Sequence, residues 1–205
     1  MNFETTSRER LRALALACKT LEKKEKAERL EASLINFVQE AWRAIDPAEY
    51  QRCWAIDALC EHLQAVSEGQ IRHLLVNAPP RTSKITLASI FYPAWTWAQS
   101  GRTFLKGPQV RFLCGSYNHD LSLTNSTSTR RLIFSPWYQS LWGQRFTFRE
   151  DQNTKTKFDT SAGGRRKRAD DIECFKVAVV STGKTLHVCK LCSLANHSQI
   201  DYMLQ

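Results

Sequence analysis

The sequence predicts one α/β domain in which helices flank an incomplete parallel β-sheet, preceded by an N-terminal helical segment. Two short apolar runs, residues 72–77 and 109–116, have the length and composition of buried strands, and a helical pattern follows each of them. The order strand, loop, helix, strand, helix is typical of parallel sheets with right-handed crossovers. A chain of 205 residues with 42% apolar content can bury one sizeable core.

Two helical segments precede the first strand. The pattern from Arg8 to about Arg43 is helical, so residues 1–45 are predicted to form the N-terminal helical segment. Its apolar stripe consists of Leu11, Leu14, Cys18 and Leu21. Asp46-Pro47 fits an N-cap followed by proline at the first helical position, which predicts a second helix that runs to Val66 and ends near Gly69.

The first strand, "RHLLVN" at residues 72–77, must end at the two prolines that follow it. Proline lacks the N–H group that a central strand needs, so the chain has to leave the sheet there. Residues Thr86 to Gln99 are apolar on all sides. They predict a buried helix, which Pro93 should kink.

The second strand, residues 109–116, is followed by a helix that Asn118 should cap and that should reach about Phe134. Ser135-Pro136 predicts the start of another short helix. The charged stretch "GGRRKRADD" then predicts a flexible junction, and no long periodic element follows it. Residues 165–205 are therefore expected to form a divergent tail, disordered or frame-shifted.

Composition limits the class of partner and the compartment. Lys and Arg outnumber Asp and Glu by 29 to 20, and the net charge of +9 favours polyanions such as nucleic acids and nucleotides. The first residues are too charged for a signal peptide, and no later run reaches membrane-spanning length. Seven cysteines without a secretion signal are typical of reduced thiols. We therefore expect a cytoplasmic protein with no membrane partner.

The segment "APPRTSKI" approaches the pattern of a phosphate-binding loop. In such a loop the main-chain amides surround phosphate oxygens, a lysine adds charge and a hydroxyl binds Mg²⁺. The segment lies between a predicted strand and a predicted helix, which is the required context, but Ser83 replaces the expected glycine and Ile85 replaces the hydroxyl. The candidate nucleotide-binding residues are Ala78, Pro79, Pro80, Arg81, Thr82, Ser83, Lys84, Ile85 and Thr86.

The two replacements should weaken the loop in different ways. Serine at position 83 is tolerated if its φ is negative, whereas a positive φ costs about 1 kcal/mol or more for a residue with a Cβ. Isoleucine has no oxygen for Mg²⁺, and Thr86, the remaining candidate metal ligand, is rotated by about 100° from Ile85 around a helix. Weak or absent Mg²⁺ binding is therefore expected.

A second segment, "AVVSTGKT" at residues 178–185, satisfies the bare loop pattern. The pattern has meaning only between a strand and a helix, and no strong helix is visible after Thr185. A chance match is therefore the favoured interpretation.

Five blocks stand in one order between about Leu34 and Gly164: "LLVNAPPRTSK", "FYPAWTWAQ", "VRFLCGSYNHDLS", "STRRLIFSPWYQSLWG" and "REDQNTKTKFDTSAGG". Together they resemble the ATPase half of the large terminase subunits of tailed bacteriophages. The variant loop of that family reads Pro-Pro-Arg, any residue, Gly-Lys-Ser, and residues 79–85 here read Pro-Pro-Arg-Thr-Ser-Lys-Ile.

The resemblance implies that residues 46–164 form a truncated P-loop ATPase domain of a viral DNA-packaging motor. It implies that the nucleotide is ATP with Mg²⁺, and that the candidate catalytic residues are Lys84 and Arg81. Lys84 would contact the β and γ phosphates, and Arg81 would sense or stabilise the γ phosphate. The implied partners are double-stranded DNA, the small terminase subunit, the portal protein and other copies of the chain.

Two elements of such a motor are missing from the sequence. No apolar strand ends in an aspartate with a neighbouring glutamate to orient the attacking water, and Asp170-Asp171 follow "RRKRA" instead of a strand. The nuclease domain of the family is also missing. We expect a terminase remnant that binds ATP, with weak or no hydrolysis and no nuclease activity. The alternative is a catalytically silent, basic DNA-associating protein.

Two groups in the tail have a functional and a structural interpretation. Four residues have part of a zinc-ligand spacing, although unrelated thiols and imidazoles are the favoured interpretation. They are His187, Cys189, Cys192 and His197. The basic run from Arg165 to Arg168 could contact DNA phosphates, but a solvated linker is favoured.

Aromatic residues are likewise open to two interpretations. Gln51 and Trp54 could contact adenine, but an interhelical packing face is favoured. Four tryptophans on apolar helices could stack on bases, but core packing is favoured. They are Trp95, Trp97, Trp137 and Trp142.

Overall fold

The computed structural model describes residues 3–79, 82–100, 107–116, 119–153, 158–168, 177–182 and 185–190. Helices dominate the first part of the chain: α1 (Phe3–Ala32), α2 (Leu34–Ala41), a 3-10 turn (Trp42–Ala44) and α3 (Trp54–Ser67). The single helix predicted from Arg8 to Arg43 is broken at Ser33. The backbone of Ser33 is extended, with φ −144°, and its Oγ accepts the Asn36 N–H at 3.4 Å, which caps α2.

Helix α3 begins later than predicted. At the predicted start, Asp46 Oδ1 accepts the Ala48 N–H at 2.9 Å in a turn, and the helix begins only at Trp54. Aspartate side chains stabilise such turns as readily as they cap helices, which explains the difference. The predicted end is confirmed, because α3 ends at Ser67 and Gly69 has a φ of +82°.

The first strand leads into a helical segment that we call the loop helix. Strand β1 (His73–Asn77) precedes it, and the loop helix consists of α4 (Lys84–Thr86), a π-helical stretch (Leu87–Phe91) and α5 (Tyr92–Ala98). Every residue from Leu87 to Ala98 is buried, as the all-apolar pattern predicts. The π-helical stretch lies directly before Pro93, whose ring disturbs the regular helical hydrogen bonds.

In the rest of the described chain, one strand and two helices are followed by five strands: β2 (Arg111–Ser116), α6 (His119–Phe134), α7 (Pro136–Trp142), β3 (Phe148–Asn153), β4 (Phe158–Thr160), β5 (Arg165–Arg168), β6 (Val177–Thr182) and β7 (Thr185–Lys190). The second predicted strand and the helix that reaches Phe134 are confirmed. The predicted cap of α7 is also confirmed, because Ser135 Oγ accepts the Tyr138 N–H at 3.2 Å.

The seven strands form one sheet in the order β1-β7-β6-β2-β5-β4-β3. Strand β2 is parallel to both of its neighbours, β5 and β6, and the other four pairings are antiparallel. The fold is therefore α/β, as predicted, but the sheet is mixed where a parallel sheet was expected. The pairings place β1 at one edge of the sheet, with β7 beside it.

The expected tail contributes three strands to this sheet. Strand β5 lies between β2 and β4, and β6 and β7 lie between β2 and β1. Residues 165–168, 177–182 and 185–190 are thus strands, where a divergent tail, disordered or frame-shifted, was expected. Short strands of four to six residues leave no long periodic pattern in the sequence, and consecutive charges conceal β5.

Aromatic side chains fill the core between the helices and the sheet. Trp95, Trp97 and Trp142 are buried, and Trp137 packs against the core in a half-buried position, so the core-packing interpretation is confirmed. Trp95 Nε1 donates to the Leu30 carbonyl at 3.0 Å, and Trp97 Nε1 donates to a carbonyl at 2.9 Å. The indole N–H groups of Trp95 and Trp97 thus have acceptors within the core, whereas those of Trp42 and Trp137 have no partner among the described residues.

Glu31 near the end of α1 is a buried carboxylate that joins three parts of the fold. Its Oε1 accepts hydrogen bonds from Trp142 Nε1 at 3.1 Å and from Arg145 Nη2 at 2.6 Å. Its Oε2 accepts the Ser100 hydroxyl at 2.8 Å. A buried carboxylate with three donors is stably accommodated, and it ties α1 to the segment that follows the loop helix.

Candidate nucleotide-binding site

The phosphate-loop candidate lies between β1 and the loop helix, as the sequence predicts. Strand β1 ends at Asn77, Ala78 and Pro79 follow, and the helix begins at Lys84. Pro80 and Arg81 lie outside the described residues, so the role of the loop arginine stays a prediction.

Lys84 is the central residue of this loop. Its side chain is only 4% exposed, and Nζ donates to the carbonyls of Ala78 at 2.7 Å and Pro79 at 3.1 Å. Thr82 Oγ1 also donates to the Pro79 carbonyl, at 2.9 Å. The ammonium group therefore lies across the loop, held by main-chain oxygens that satisfy part of its hydrogen-bonding capacity.

Ser83 adopts a left-handed backbone conformation with φ +55° and ψ +9°. It is the one non-glycine residue with a positive φ in the described part of the chain. The sequence did not determine the sign of φ at Ser83. The positive value destabilises the folded chain by about 1 kcal/mol or more, because the residue has a Cβ. The loop thus keeps the backbone shape that glycine would provide without strain.

The residues after Lys84 offer little to a metal ion. Ile85 and Thr86 are both half-buried in the first turn of the loop helix, and only Thr86 has a hydroxyl group. Among the side chains that the structure describes, no three His, Cys, Asp or Glu lie together as a metal site. Thr86 as a Mg²⁺ ligand stays a prediction.

Four strands run in the same direction, so their carboxyl ends lie on the same side of the sheet as the loop. Strands β1, β6, β2 and β5 end at Asn77, Thr182, Ser116 and Arg168. None of these end residues is acidic, so none could orient a water molecule for attack on a γ phosphate. Asp170-Asp171 lie outside the described residues.

The second loop pattern lies in a β-hairpin. Strand β6 ends at Thr182 and β7 begins at Thr185, and these two residues are paired in an antiparallel ladder. Thr185 therefore begins a strand where a phosphate loop requires a helix. The interpretation of residues 178–185 as a chance match agrees with this context.

Arg166 is a buried cation that sequence reasoning missed. Its side chain is 2% exposed, and Nη1 donates to the Ser89 carbonyl and to Thr129 Oγ1, each at 2.6 Å. Nη2 has no hydrogen-bond partner among the described residues, and burial lowers the pKa of the guanidinium. The predicted solvated linker is thus wrong for Arg166, and burial also excludes it from contacting DNA phosphates.

The neighbouring residue, Arg165, is part of an ion pair. Its Nη2 lies 3.0 Å from Oδ2 of Asp159, a carboxylate on β4 whose side chain is 7% exposed. Consecutive strand residues point to opposite faces of the sheet, which explains why the two arginines have different surroundings. The turn residues Gly163 and Gly164 are compatible with a strand that begins after them, but the four consecutive basic residues favoured a solvated linker.

No protein-family model, curated protein or solved structure matches the chain. None of the helices in the described ranges is long and apolar enough to cross a membrane.

Trp54 has surroundings that the sequence did not predict. It is 83% exposed at the amino end of α3, so the predicted packing role is wrong for this residue, and Gln51 is exposed as well. Helix α3 is joined to β1 by five residues and packs against it. A helix that packs on the strand to which so short a connection joins it is expected to run antiparallel to that strand, with its amino end toward the candidate phosphate loop.

Two clefts lined by described residues lie away from the phosphate loop. One, of about 510 Å³, lies between α1 and α7, and the other, of about 370 Å³, lies beside Glu40 and Tyr50. Neither is lined by residues 78–86. These clefts add nothing to the nucleotide site.

Two of the four candidate zinc ligands fall on β7. His187 and Cys189 are two residues apart on this strand, whose backbone the structure describes. Cys192 and His197 lie outside the described residues, so the four-residue zinc site stays a prediction.

Proposed function

We propose that the chain is a nucleotide-binding protein related to the ATPase half of phage terminase large subunits, and that it binds ATP weakly at residues 78–86 with little or no hydrolysis. The observation that carries this proposal is Lys84, a buried lysine at the start of a helix whose ammonium group lies against the carbonyls of its own loop. Helix amino ends and lysine charges together favour phosphate groups.

Binding requires the loop to exchange partners. A triphosphate oxygen would replace the Ala78 and Pro79 carbonyls as acceptor for the Lys84 ammonium group, which is 2.7 Å and 3.1 Å from them. The ammonium group is a charged donor in both arrangements, but a phosphate oxygen also carries negative charge, which adds an attraction that neutral carbonyls lack. The exchange is therefore favourable at Lys84, although the strained Ser83 and the missing Mg²⁺ hydroxyl limit the affinity.

A titration with a fluorescent ATP analogue, with and without Mg²⁺, tests the binding step. We expect Lys84→Ala to weaken binding by about tenfold or more, because the loss of one charged hydrogen bond costs about 1.5–3 kcal/mol. Mg²⁺ should change the affinity little, because Ile85 cannot bind it. Lys24→Ala, in an exposed residue of α1, removes the same charge away from the loop and is the matched control.

Equal binding by the wild type and Lys84→Ala would remove the loop from the proposal. If Lys84→Ala and Lys24→Ala weaken binding equally, the attraction is a general effect of the +9 charge.

Steady-state phosphate release tests the second half of the proposal. We expect release near background, because the ends of the described neighbouring strands offer no carboxylate to orient water. Ile85→Ser restores a hydroxyl for Mg²⁺ but should leave release at background, since the acidic residue is still missing. Turnover well above background in the wild type would contradict the proposal.

Trp54 provides a separate test of base recognition. Its exposed ring at the amino end of α3 could stack on adenine, an interaction worth about 1–3 kcal/mol per base. If it does, Trp54→Ala weakens ATP binding but leaves the binding of inorganic triphosphate unchanged. Equal losses for both ligands would argue against base stacking.

The second candidate function is a basic DNA-associating protein without catalysis. It is favoured by the exposed part of α1, residues 8–25, which contains six Lys and Arg against three Glu. Binding to duplex DNA should then weaken steeply with salt and should not respond to Lys84→Ala. DNA binding that persists at high salt would contradict this candidate.

A further inference from the structure

The pairing of β1 with β7 brings three residues of metal-binding types to neighbouring register positions. In the antiparallel pairing of these strands, His73 lies opposite Cys189 and Leu75 lies opposite His187. The two positions on β7 are two residues apart and therefore belong to the same face of the sheet. His73 lies 114 residues before His187 and 116 residues before Cys189, so the sheet pairing and not the local sequence brings the three positions together.

Burial along β1 shows which face this is. His73, Leu75 and Asn77 are exposed, whereas Leu74 and Val76 are half-buried and pack against the core. Residues directly opposite in an antiparallel pair share a face, so the register positions of His187 and Cys189 lie on the solvent side of the sheet. A metal ion could therefore reach this position from solution without any opening of the core.

The structure assigns a Zn²⁺ site to His73, His187 and Cys189. Residues directly opposite have Cβ atoms about 4.5–5.5 Å apart, and residues two apart on a strand are separated by about 6.6–6.8 Å. Both backbone spacings are compatible with one ion shared by the three register positions, with bonds of about 2.0–2.3 Å. Imidazole and thiolate are ligands that Zn²⁺ prefers, and three protein ligands leave the fourth position for water.

This site differs from a zinc knuckle formed within the tail. A knuckle would need Cys192 and His197 and no residue of β1, whereas the two-strand site needs His73. Metal binding at the two-strand site would also hold β7 against β1, and would stabilise the folded chain according to the concentration of free metal.

Cobalt titration of the reduced, metal-free full chain tests the site. Co²⁺ in a tetrahedral site with one thiolate gives visible d–d bands and a thiolate charge-transfer band, and Zn²⁺ should displace it. We expect Cys189→Ser to abolish the charge-transfer band, and His73→Gln and His187→Gln each to weaken Co²⁺ binding by about tenfold or more.

Matched controls are Cys18→Ser and His62→Gln, which remove an exposed thiol and an exposed imidazole elsewhere in the chain. Both should keep the wild-type affinity. The melting curve of the metal-free protein is measured for every variant, which separates loss of metal binding from unfolding.

The outcomes for Cys192→Ser and His197→Gln separate the two sites. Unchanged Co²⁺ binding in both variants, with loss in His73→Gln, supports the two-strand site. Loss in Cys192→Ser together with an unchanged His73→Gln would overturn it in favour of the knuckle. A charge-transfer band that survives Cys189→Ser would also overturn it.

Discussion

Single residues decide how closely this loop can imitate a phosphate-binding loop. Lys84 stands at the start of the loop helix, the position predicted for a loop lysine, and its ammonium group lies 2.7 Å from the Ala78 carbonyl. Ser83 keeps the backbone conformation of the glycine that it replaces, with φ +55°. The identity of Lys84 as the candidate site residue followed from sequence alone. The sign of the φ angle at Ser83 did not, because the surrounding loop determines it.

Ser83→Gly should stabilise the protein. Glycine adopts a positive φ without the steric cost of a Cβ, so the free energy of unfolding should rise by about 1 kcal/mol and Tm by about 2–4 °C. Differential scanning calorimetry measures this change. Ser83→Ala is the matched control, because alanine keeps the Cβ and should give no increase. A gain with alanine, or none with glycine, would show that the strain lies elsewhere.

Cys60 on α3 should make stability depend on alkaline pH. Burial raises the pKa of its thiol from 9.0 to about 12. Because the pKa of the thiol is higher in the folded than in the unfolded chain, ionisation favours the unfolded chain. The free energy of unfolding is therefore unaffected below about pH 9, and it falls as the pH rises toward 12, by up to about 1.4 kcal/mol per pH unit. Urea unfolding at several pH values from about 8 to about 10 measures the slope.

The comparison for this prediction is between two cysteine variants. Cys60→Ala should flatten the alkaline slope, whereas Cys53→Ala, which changes an exposed thiol, should leave it unchanged. Buried tyrosines contribute to the slope in every variant and therefore cancel in the difference. Equal slopes in all three proteins would contradict the burial of the Cys60 thiol.

At the level of elements, the loop helix depends on partners from two other parts of the fold. Pro93 has no N–H, so it cannot donate to the Ser89 carbonyl four residues before it. That carbonyl accepts Thr129 Oγ1 of α6 at 3.1 Å and Arg166 Nη1 of β5 at 2.6 Å. The sequence predicted a disturbance at Pro93, but the residues that compensate for it lie 40 and 77 positions away and no local pattern reveals them.

Arg166→Met should leave the free energy of unfolding within about 1 kcal/mol of wild type or raise it. The change removes a buried cation with no carboxylate partner among the described residues, and Thr129 still donates to Ser89. Adding Thr129→Val leaves that carbonyl without either donor and should cost about 1–3 kcal/mol. Urea unfolding of the single and double variants measures both values.

The neighbouring arginine provides the contrast. Arg165→Met removes the partner of the buried Asp159 and should be clearly destabilising. If Arg166→Met is as destabilising as Arg165→Met, the guanidinium of Arg166 stabilises the fold and the reasoning about its burial is wrong.

For the whole molecule, sequence reasoning gave the α/β class and the strand-loop-helix unit but not the order of the strands. Apolar runs and proline positions are local signals, and they correctly indicated β1, the loop helix, β2 and α7. Strand order is set by pairings between distant residues, such as His73 with Cys189, which leave no local pattern. The order of elements therefore predicted a parallel sheet. It did not predict that β7 would lie between β1 and β6, antiparallel to both.

A chain shortened after Gly164 should fail to fold cooperatively. It loses β5, which joins β2 to β4, and β7, which is the one sheet neighbour of β1 among the described strands. Far-UV circular dichroism during heating should then show a broad, shallow transition, and nucleotide binding should be lost. A sharp transition at the wild-type Tm would instead show that residues 1–164 are an independent domain.

Most of helix α1 is not packed against the rest of the fold. Its side chains are exposed from residue 8 to residue 25, and burial begins only near Ala27. Helices without tertiary support are marginal in water, so the amides of these turns open to solvent at free energies well below that of global unfolding. Hydrogen–deuterium exchange along α1 should consequently be graded, fast in its first turns and slow near Glu31, whose carboxylate is buried.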